Sequence, residues 1–342
     1  MNILIDIGHP AHVHMFHPFA VEMQKRGHKV LFTCRDKEFE VKLLTKYGLD
    51  FVNFGKKSKS TLGKIFDMIK FDYKEWGIAR KFKPDVFLSH GSITASQVAW
   101  LMRKPSIAFE DTFNMEQIRL WEPFVSVILT SNYEHPLKSK KVLKYEGYNE
   151  LLYLHPNRFT PDKRVLDDLG LKEGDKYVIV RFVSWNATHD RGHHGISLEN
   201  KVSAINKFSK FAKVFISSEA ELPEELKEFK FPLPPERMHD AMAFASLIFG
   251  ESATMVTEGV VLGVPGVYLD NTGRFYTRDI QEKYGMCFNY TESEDDQIKA
   301  IEKGVEILSN NIDFTTAHKK MMSEKIDVTG WLCEYVENEI IR

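Results

Sequence analysis

Three stretches of this chain carry residue types whose spacing could do chemistry. The richest is Phe249-Gly250-Glu251-Ser252-Ala253-Thr254-Met255-Val256-Thr257-Glu258, which runs on to Pro265. An apolar run closes on small residues and leads into a helical pattern with Glu258 two turns in, and a second apolar run, 264–269, follows at once. A strand–turn–helix of this kind aims backbone N–H groups and the positive end of a helix dipole at whatever sits in front of it. That suits a phosphate. A carboxylate beside the phosphate can accept both hydroxyls of a ribose, so the stretch reads as a nucleoside-diphosphate pocket.

The second stretch is Gly8-His9-Pro10-Ala11-His12-Val13-His14-Met15-Phe16-His17-Pro18, with four histidines in nine residues. It follows a first apolar run, on the strand-to-helix loop where an open α/β sheet places its chemistry. Imidazole titrates near neutral pH, so one of these side chains, His12 or its neighbour His9, suits a general base or a group that orients an acceptor hydroxyl. A zinc site is not implied. A helix starting near His14 would split the four, and the one carboxylate close by is Asp6. Helix capping and surface polarity are the plain alternative.

The third is Val180–Gly195, where Arg181, Arg191 and the histidines 189, 193 and 194 follow another apolar run. Guanidinium and imidazole groups there could clamp a departing diphosphate. A mobile polar loop is the alternative. Asp270-Asn271-Thr272-Gly273-Arg274 is a weaker signal, because a helix N-cap at Asn271 or Thr272 explains it as well.

The elements that must position these residues are short apolar runs alternating with amphipathic ones. Strands are expected at 3–7, 29–34, 50–54, 85–89, 106–109 and 126–130, with helices at 14–26, 38–47, 62–82, 93–102 and 115–122. A stretch richer in Pro, Asp, Lys and Gly, 152–174, reads as a linker. The alternation restarts at 177–182 and continues through 213–217, 247–249 and 266–269, and 314–341 closes in one or two helices. Apolar strands alternating with helices mean parallel sheets covered on both faces. The expectation is two doubly wound, Rossmann-like α/β domains facing a central cleft: 1–155, 170–320, and a closing helical segment 321–342 that packs back toward the first.

The bulk composition is that of an ordinary globular chain. With 342 residues, 43% apolar and 27% charged, the length fits about two domains. A net charge of −2 gives no bias toward nucleic acid. Cys34, Cys287 and Cys333 lie far apart without a CxxC pair, which fits a reducing, cytoplasmic setting. No apolar run is long enough to span a membrane. One region departs from the average: residues 54–84 hold nine Lys or Arg against three acids, interleaved with aromatic and aliphatic residues. Such a helix, 56–83, could lie on an anionic membrane surface. The reading preferred on sequence is a helix whose apolar side packs on the sheet and whose basic side is solvated.

Two motifs carry a resemblance. Ala11-His12-Val13-His14-Met15 followed by Arg26-Gly27-His28-Lys29-Val30 resembles the opening of the GT-B glycosyltransferases, with Met15 where those have proline. The stretch 252–265 resembles the donor-binding motif of the peptidoglycan GlcNAc transferase type, and equally the Ser-Gly-Gly-x-x-x-Glu segment of non-hydrolysing UDP-GlcNAc 2-epimerases. Here Ala253 and Thr254 replace the glycines. As a whole the chain resembles an uncharacterised GT-B-like family of archaea and bacteria.

The resemblance implies a GT-B fold and a sugar-nucleotide-dependent glycosyltransferase. Its partners would be an NDP-sugar, UDP-linked first, and a glycan or lipid-linked acceptor, with no metal and no cofactor beyond the donor. It implies that Ser252, Ala253, Thr254 and Met255 face the diphosphate and Glu258 the ribose. Met238 and His239 would approach the base, Arg181 the leaving group, and Asn271 and Thr272 the sugar. The second reading is a 2-epimerase. Ser89-His90-Gly91-Ser92 and Ala108-Phe109-Glu110-Asp111 resemble that family's middle segments, with Glu110, Glu116 and His189 as an acid–base set and Ser92 where an acid is expected. The third is a nucleotide-sugar-binding protein without turnover.

Overall fold

The structure, a computed structural model, describes residues 1–36, 39–56, 61–183, 194–218 and 221–340. The chain divides into two compact units, Met1–Arg158 with Ile326–Arg342, and Phe159–Lys325.

Unit 1 alternates strand and helix from its start: β1 (Asn2–Asp6), α1 (Pro10–Lys25), β2 (Lys29–Cys34), α2 (Glu40–Lys46), β3 (Phe51–Asn53), α3 (Thr61–Phe82), β4 (Val86–His90), α4 (Ile93–Leu101), β5 (Ser106–Phe109), α5 (Met115–Trp121), β6 (Val127–Ser131), β7 (Val142–Tyr145) and a single turn α6 (Leu151–Leu154). The strands form a parallel sheet in the order β3-β2-β1-β4-β5-β6-β7. β1, β4 and β5 are buried almost end to end, which is why they read as unbroken apolar runs.

α1 begins four residues earlier than the histidine spacing suggested. Pro10 takes the first helical position, where its fixed φ is ready-made and its missing N–H costs nothing. His9 caps the helix, its Nδ1 accepting the Ala11 N–H at 3.1 Å. α3 keeps the orientation read from the sequence, with Trp76, Ile78 and Phe82 packed on the core and Lys70, Arg80 and Lys81 exposed, but it adds two features. Its sheet-facing side carries the carboxylates Asp67 and Glu75 along with Phe71 and Ala79, while Phe66, Ile69 and Tyr73 point to solvent. Glu75 turns inward beside the Asp6–Arg35 pair, its Oε1 3.2 Å from the Thr33 hydroxyl of β2.

Unit 2 begins with α7 (Arg164–Asp168), inside the stretch read as a linker. It continues with β8 (Tyr177–Phe182), α8 (Leu198–Phe208), β9 (Lys213–Ser218), a short α9 (Met238–Met242), β10 (Leu247–Gly250), α10 (Ala253–Val261), β11 (Gly266–Leu269), α11 (Phe275–Tyr284), β12 (Cys287–Tyr290), α12 (Glu294–Asn310) and α13 (Thr315–Glu324). Its parallel sheet runs β12-β11-β10-β8-β9. Phe208, Phe249, Leu247, Val267 and Ile301 centre its core.

The chain then returns to unit 1 as α14 (Val328–Glu339). Arg158 pairs with Asp327 at 2.7 Å, Glu337 takes Arg26 and His28, and the Thr329 hydroxyl donates to the Leu152 carbonyl at 2.6 Å. Among the described residues no helix is long and apolar enough to cross a membrane.

Each sheet has one point where the strand order reverses, between β1 and β4 in unit 1 and between β8 and β10 in unit 2. The crevice outside the carboxyl ends of the strands opens there, and open α/β sheets bind ligands in it.

Candidate functional site

In unit 2 the switch point gathers Arg181 at the end of β8 and Glu251–Ser252 just past β10. Gly250 has φ +145°, and a side chain on it would strike the Arg181 carbonyl, so the two strands touch backbone to backbone. That approach turns the chain sharply into α10. Ser252 caps α10 by accepting the Met255 N–H on its Oγ at 3.3 Å. Ala253 and Thr254 lie in the first turn, where N–H groups have no intrahelical acceptor.

Glu258 is not an exposed helix carboxylate. It is 6% exposed, and its Oε1 meets His239 Nε2 at 2.9 Å. His239 comes from α9, which Met238 opens and which is fixed by Asp240, buried against Arg237 and the Asp162 N–H. Arg181 is braced by Ser217 at 2.9 Å.

Two buried carboxylates hold the chain on either side of the 184–193 stretch. Glu251 accepts the N–H groups of Val183 and Ile196, and Glu292 those of His194 and Gly195. His189 and Arg191 lie outside the described residues.

Neither Asn271 nor Thr272 caps a helix. Asn271 Oδ1 accepts the Glu292 N–H at 2.9 Å, and Thr272 is held by Asp270, whose Oδ1 also takes the Gly273 N–H at 2.9 Å. Burial pushes the Asp270 carboxyl up, but the bonds from Thr272 and Gly273 and the Arg274 charge outweigh it and hold it below its usual range.

In unit 1 the switch point gathers histidines from two strands' ends. The four near the N-terminus part company. His9 caps α1, while His14 and His17 turn to Tyr47, the first by a 3.0 Å hydrogen bond and the second stacked at 4.1 Å. His12 stays at the sheet end, its ring stacked on His90 at 4.7 Å and its Nδ1 3.4 Å from the Gly8 N–H. His90 Nε2 lies 3.2 Å from Asp111 Oδ1, and Asn149 donates to Asp111 Oδ2 at 2.6 Å. The Tyr145 hydroxyl holds Asn149 in turn, at 2.5 Å.

Burial alone would lower the His90 pKa, but the Asp111 charge and hydrogen bond raise it to about 9. His90 and Asp111 are therefore an ion pair at neutral pH, under the ring of His12. The pair's contribution to stability is full below the ordinary imidazole value near 6.5 and is lost as pH rises through about 9. A shift of that size corresponds to about 3 kcal/mol. Denaturant unfolding at pH 6 and pH 10 should show that loss in the native chain and little of it in His90→Gln. Equal losses in the two proteins would overturn the pairing.

Glu110 is buried, but its Oε1 already accepts the Thr112 N–H, the Thr112 hydroxyl and the Phe113 N–H at 2.7–2.8 Å. It shapes the loop after β5. Ser92, where the epimerase pattern has an acid, donates to Asp6, and Asp6 is also bonded to Thr33 and Arg35. Among the described residues no three metal-ligating side chains converge. Tyr145 and Asn149 in unit 1 and Glu292 in unit 2 have no sequence signal. Tyr145 ends the edge strand β7, and Asn149 and Glu292 follow edge strands and act on residues distant in the chain.

Two all-parallel units with polar side chains at their switch points define a GT-B protein, and the solved structures that resemble this one agree. The UDP-GlcNAc 2-epimerase of Neisseria meningitidis bound to UDP-GlcNAc matches with a TM-score of 0.69 at 15% identity, over 99% of this chain and 100% of that one. A spinosyn rhamnosyltransferase complexed with spinosyn aglycone matches with 0.63 at 12% identity, over 99% and 100%. At these identities the likeness is one of fold. Residues 1–312 match the family described as "Protein of unknown function (DUF354)", and the chain belongs to that family. An uncharacterised protein of Methanocaldococcus jannaschii is 23% identical over 317 residues, 85% of this chain and 91% of its own.

Proposed function

We propose that the chain is a glycosyltransferase that takes a nucleoside-diphosphate sugar, a UDP-sugar first, and passes the sugar to a hydroxyl of a glycan or lipid-linked acceptor. The observation that carries this reading is the buried Glu258–His239 pair behind the capped start of α10. A carboxylate held there by an imidazole is oriented to accept two ribose hydroxyls. The amides of Ala253 and Thr254, with Arg181, stabilise the diphosphate. Met238 and His239 border the base, and Asn271 and Thr272 the sugar.

In the transfer, the acceptor oxygen bonds to the anomeric carbon as the bond from that carbon to the diphosphate oxygen breaks. The nucleoside diphosphate leaves with the electron pair, and His12 takes the acceptor's proton. Asp111 and His90 position His12 by holding the ring on which it stacks. The reading needs no metal and no further cofactor. It is supported over the epimerase reading because Glu110 spends one oxygen on three loop donors and the other acid position is Ser92.

The test is thermal unfolding against UDP, GDP, CDP, dTDP and their sugars. Ligand at a hundred times its Kd should add about 2.7 kcal/mol. One nucleotide family should raise the melting temperature, Glu258→Ala should abolish the rise, and His12→Ala should keep it while losing turnover. No rise with any nucleotide would overturn the donor reading. Conversion of UDP-GlcNAc alone to its 2-epimer would replace the transferase with an epimerase.

A further inference from the structure

α3 packs Phe71, Trp76, Ala79 and Phe82 inward but leaves other apolar side chains uncovered. Its exposed stripe holds Phe66, Ile69, Lys70, Tyr73, Arg80 and Lys81, which fall within an arc of about 120° on a helix of 3.6 residues per turn. Phe66 and Tyr73 are each 73% exposed and Ile69 62%, whereas Asp67 and Glu75 are buried. No acid lies on the stripe.

The apolar surface does not end with α3. Asp72, Tyr73 and Trp76 form one wall of a groove of about 270 Å³, and Gln97, Val98 and Leu101 of α4 form the other, burial pushing the Asp72 carboxyl up to about 6. Leu101 and Trp100, at the end of α4, are 62% and 61% exposed, and Arg103 beside them is exposed too. Phe66, Ile69, Tyr73, Trp100 and Leu101 are the most exposed large apolar side chains among the described residues, and all belong to α3 and α4. Arg80 lies over the Trp76 ring at 5.0 Å, so a cation also borders the groove.

A face this apolar, left open, has a partner. We infer that the α3–α4 face docks on an anionic lipid bilayer. Tyr and Trp suit the boundary between headgroup and chain, aliphatic side chains enter it, and Lys70, Arg80, Lys81 and Arg103 meet anionic headgroups. A second copy of this chain fits poorly. A two-fold contact would set Lys70, Arg80 and Lys81 of one copy against the same residues of the other, with no acid on the stripe to neutralise them. The inference stands on this face alone and is independent of the sugar chemistry.

Co-sedimentation of the full chain with vesicles tests it. Zwitterionic vesicles and vesicles with about a third anionic lipid are compared. The anionic vesicles should bind the protein and the zwitterionic ones should not, and added salt should release it. Lys70→Glu with Lys81→Glu should weaken binding by at least about fivefold for each charge. Ile69→Ser with Trp100→Ser should weaken it about tenfold or more, with melting unchanged because both side chains are exposed. Leu198→Ser with Ile298→Ser, exposed residues of unit 2, should change nothing. Failure to bind anionic vesicles, equal binding by all variants, or a dimer in solution that Ile69→Ser with Trp100→Ser disperses would each overturn the inference.

Discussion

Gly250→Ala is expected to lower the melting temperature of unit 2 by about 10 °C or more and to remove nucleotide binding with it. Gly250 closes β10 opposite Arg181 of β8, at φ +145°. A Cβ there would lie 2.1 Å from the Arg181 carbonyl oxygen and 2.9 Å from the Arg181 nitrogen. Both are backbone atoms inside a parallel sheet, so neither can swing aside. The strands must part, and the Glu251 N–H bond to the Arg181 carbonyl goes with them. Strain and a broken ladder together exceed about 4 kcal/mol. The same strands aim Arg181 and Ser252, so the loss of binding follows from the loss of register. Gly273→Ala is the comparison. It too has a positive φ, +62°, but nothing lies within 4 Å, so it should cost only about 1 kcal/mol. Melting of Gly250→Ala within about 3 °C of the native chain would show that the strands can separate at little cost.

Asp6→Ala and Glu75→Gln are expected to be far worse together than their separate effects suggest. Arg35 is buried against the stacked rings of Phe54 and Phe71, with its guanidinium on Asp6. Stripping a buried cation of its partner costs about 3–5 kcal/mol. Glu75 sits next to this pair, its Oε1 3.2 Å from the Thr33 hydroxyl that also donates to Asp6. Burial, and then the Asp6 charge, push the Glu75 carboxyl well above its usual range, which favours its neutral form beside the ion pair. Its Oε2 has no hydrogen-bond partner among the described residues. Removing Asp6 takes away one of the causes that favour neutral Glu75, leaving burial and the Asp72 charge, and leaves Arg35 in want of an anion. Glu75 can then ionise and take the place of Asp6. Asp6→Ala alone should therefore cost about 2 kcal/mol and Glu75→Gln alone about 1 or less, while the double variant exceeds their sum by more than about 1 kcal/mol. Denaturant unfolding of the four proteins measures this. Simple additivity would rule out the substitution of one acid for the other.

Much of the fold was legible because a strand buried on both faces must be apolar throughout. Tyr177–Phe182 and Gly266–Leu269 could be read to the residue for that reason. The edge strands Val142–Tyr145 and Cys287–Tyr290 could not, since they are only partly covered and carry Lys144 and Asn289. The strand, the small-residue turn and the helix around Ser252 were legible, because such a unit is local in sequence. Its partner His239 lies nineteen residues away, and nothing in the spacing joins it to Glu258. Glu110 looked like a free acid because a carboxylate that gathers backbone N–H groups has the same letter as one that does chemistry. The bond from Ser92 to Asp6 spans 86 positions, so it too was invisible in the sequence. α3 packs its apolar side and solvates its basic one as its sequence suggests, but its two buried acids carried no signal. A buried Glu75 makes sense only once Thr33 and Arg35 are known to lie opposite.

The return of α14 to unit 1 has a consequence for the order in which the molecule comes into being. The ribosome delivers the strands of the seven-stranded sheet first, but α14, which carries Asp327, Thr329 and Glu337, follows only after Phe159–Lys325 has been made. At ordinary elongation rates that is a delay of roughly ten to thirty seconds. Through it the surface of α1 and α6 that α14 covers stays bare, and Arg26, His28 and Arg158 wait for their carboxylates. Unit 2, continuous in the chain, can finish first. The nascent N-terminal half is therefore the part that a chaperone has most reason to meet.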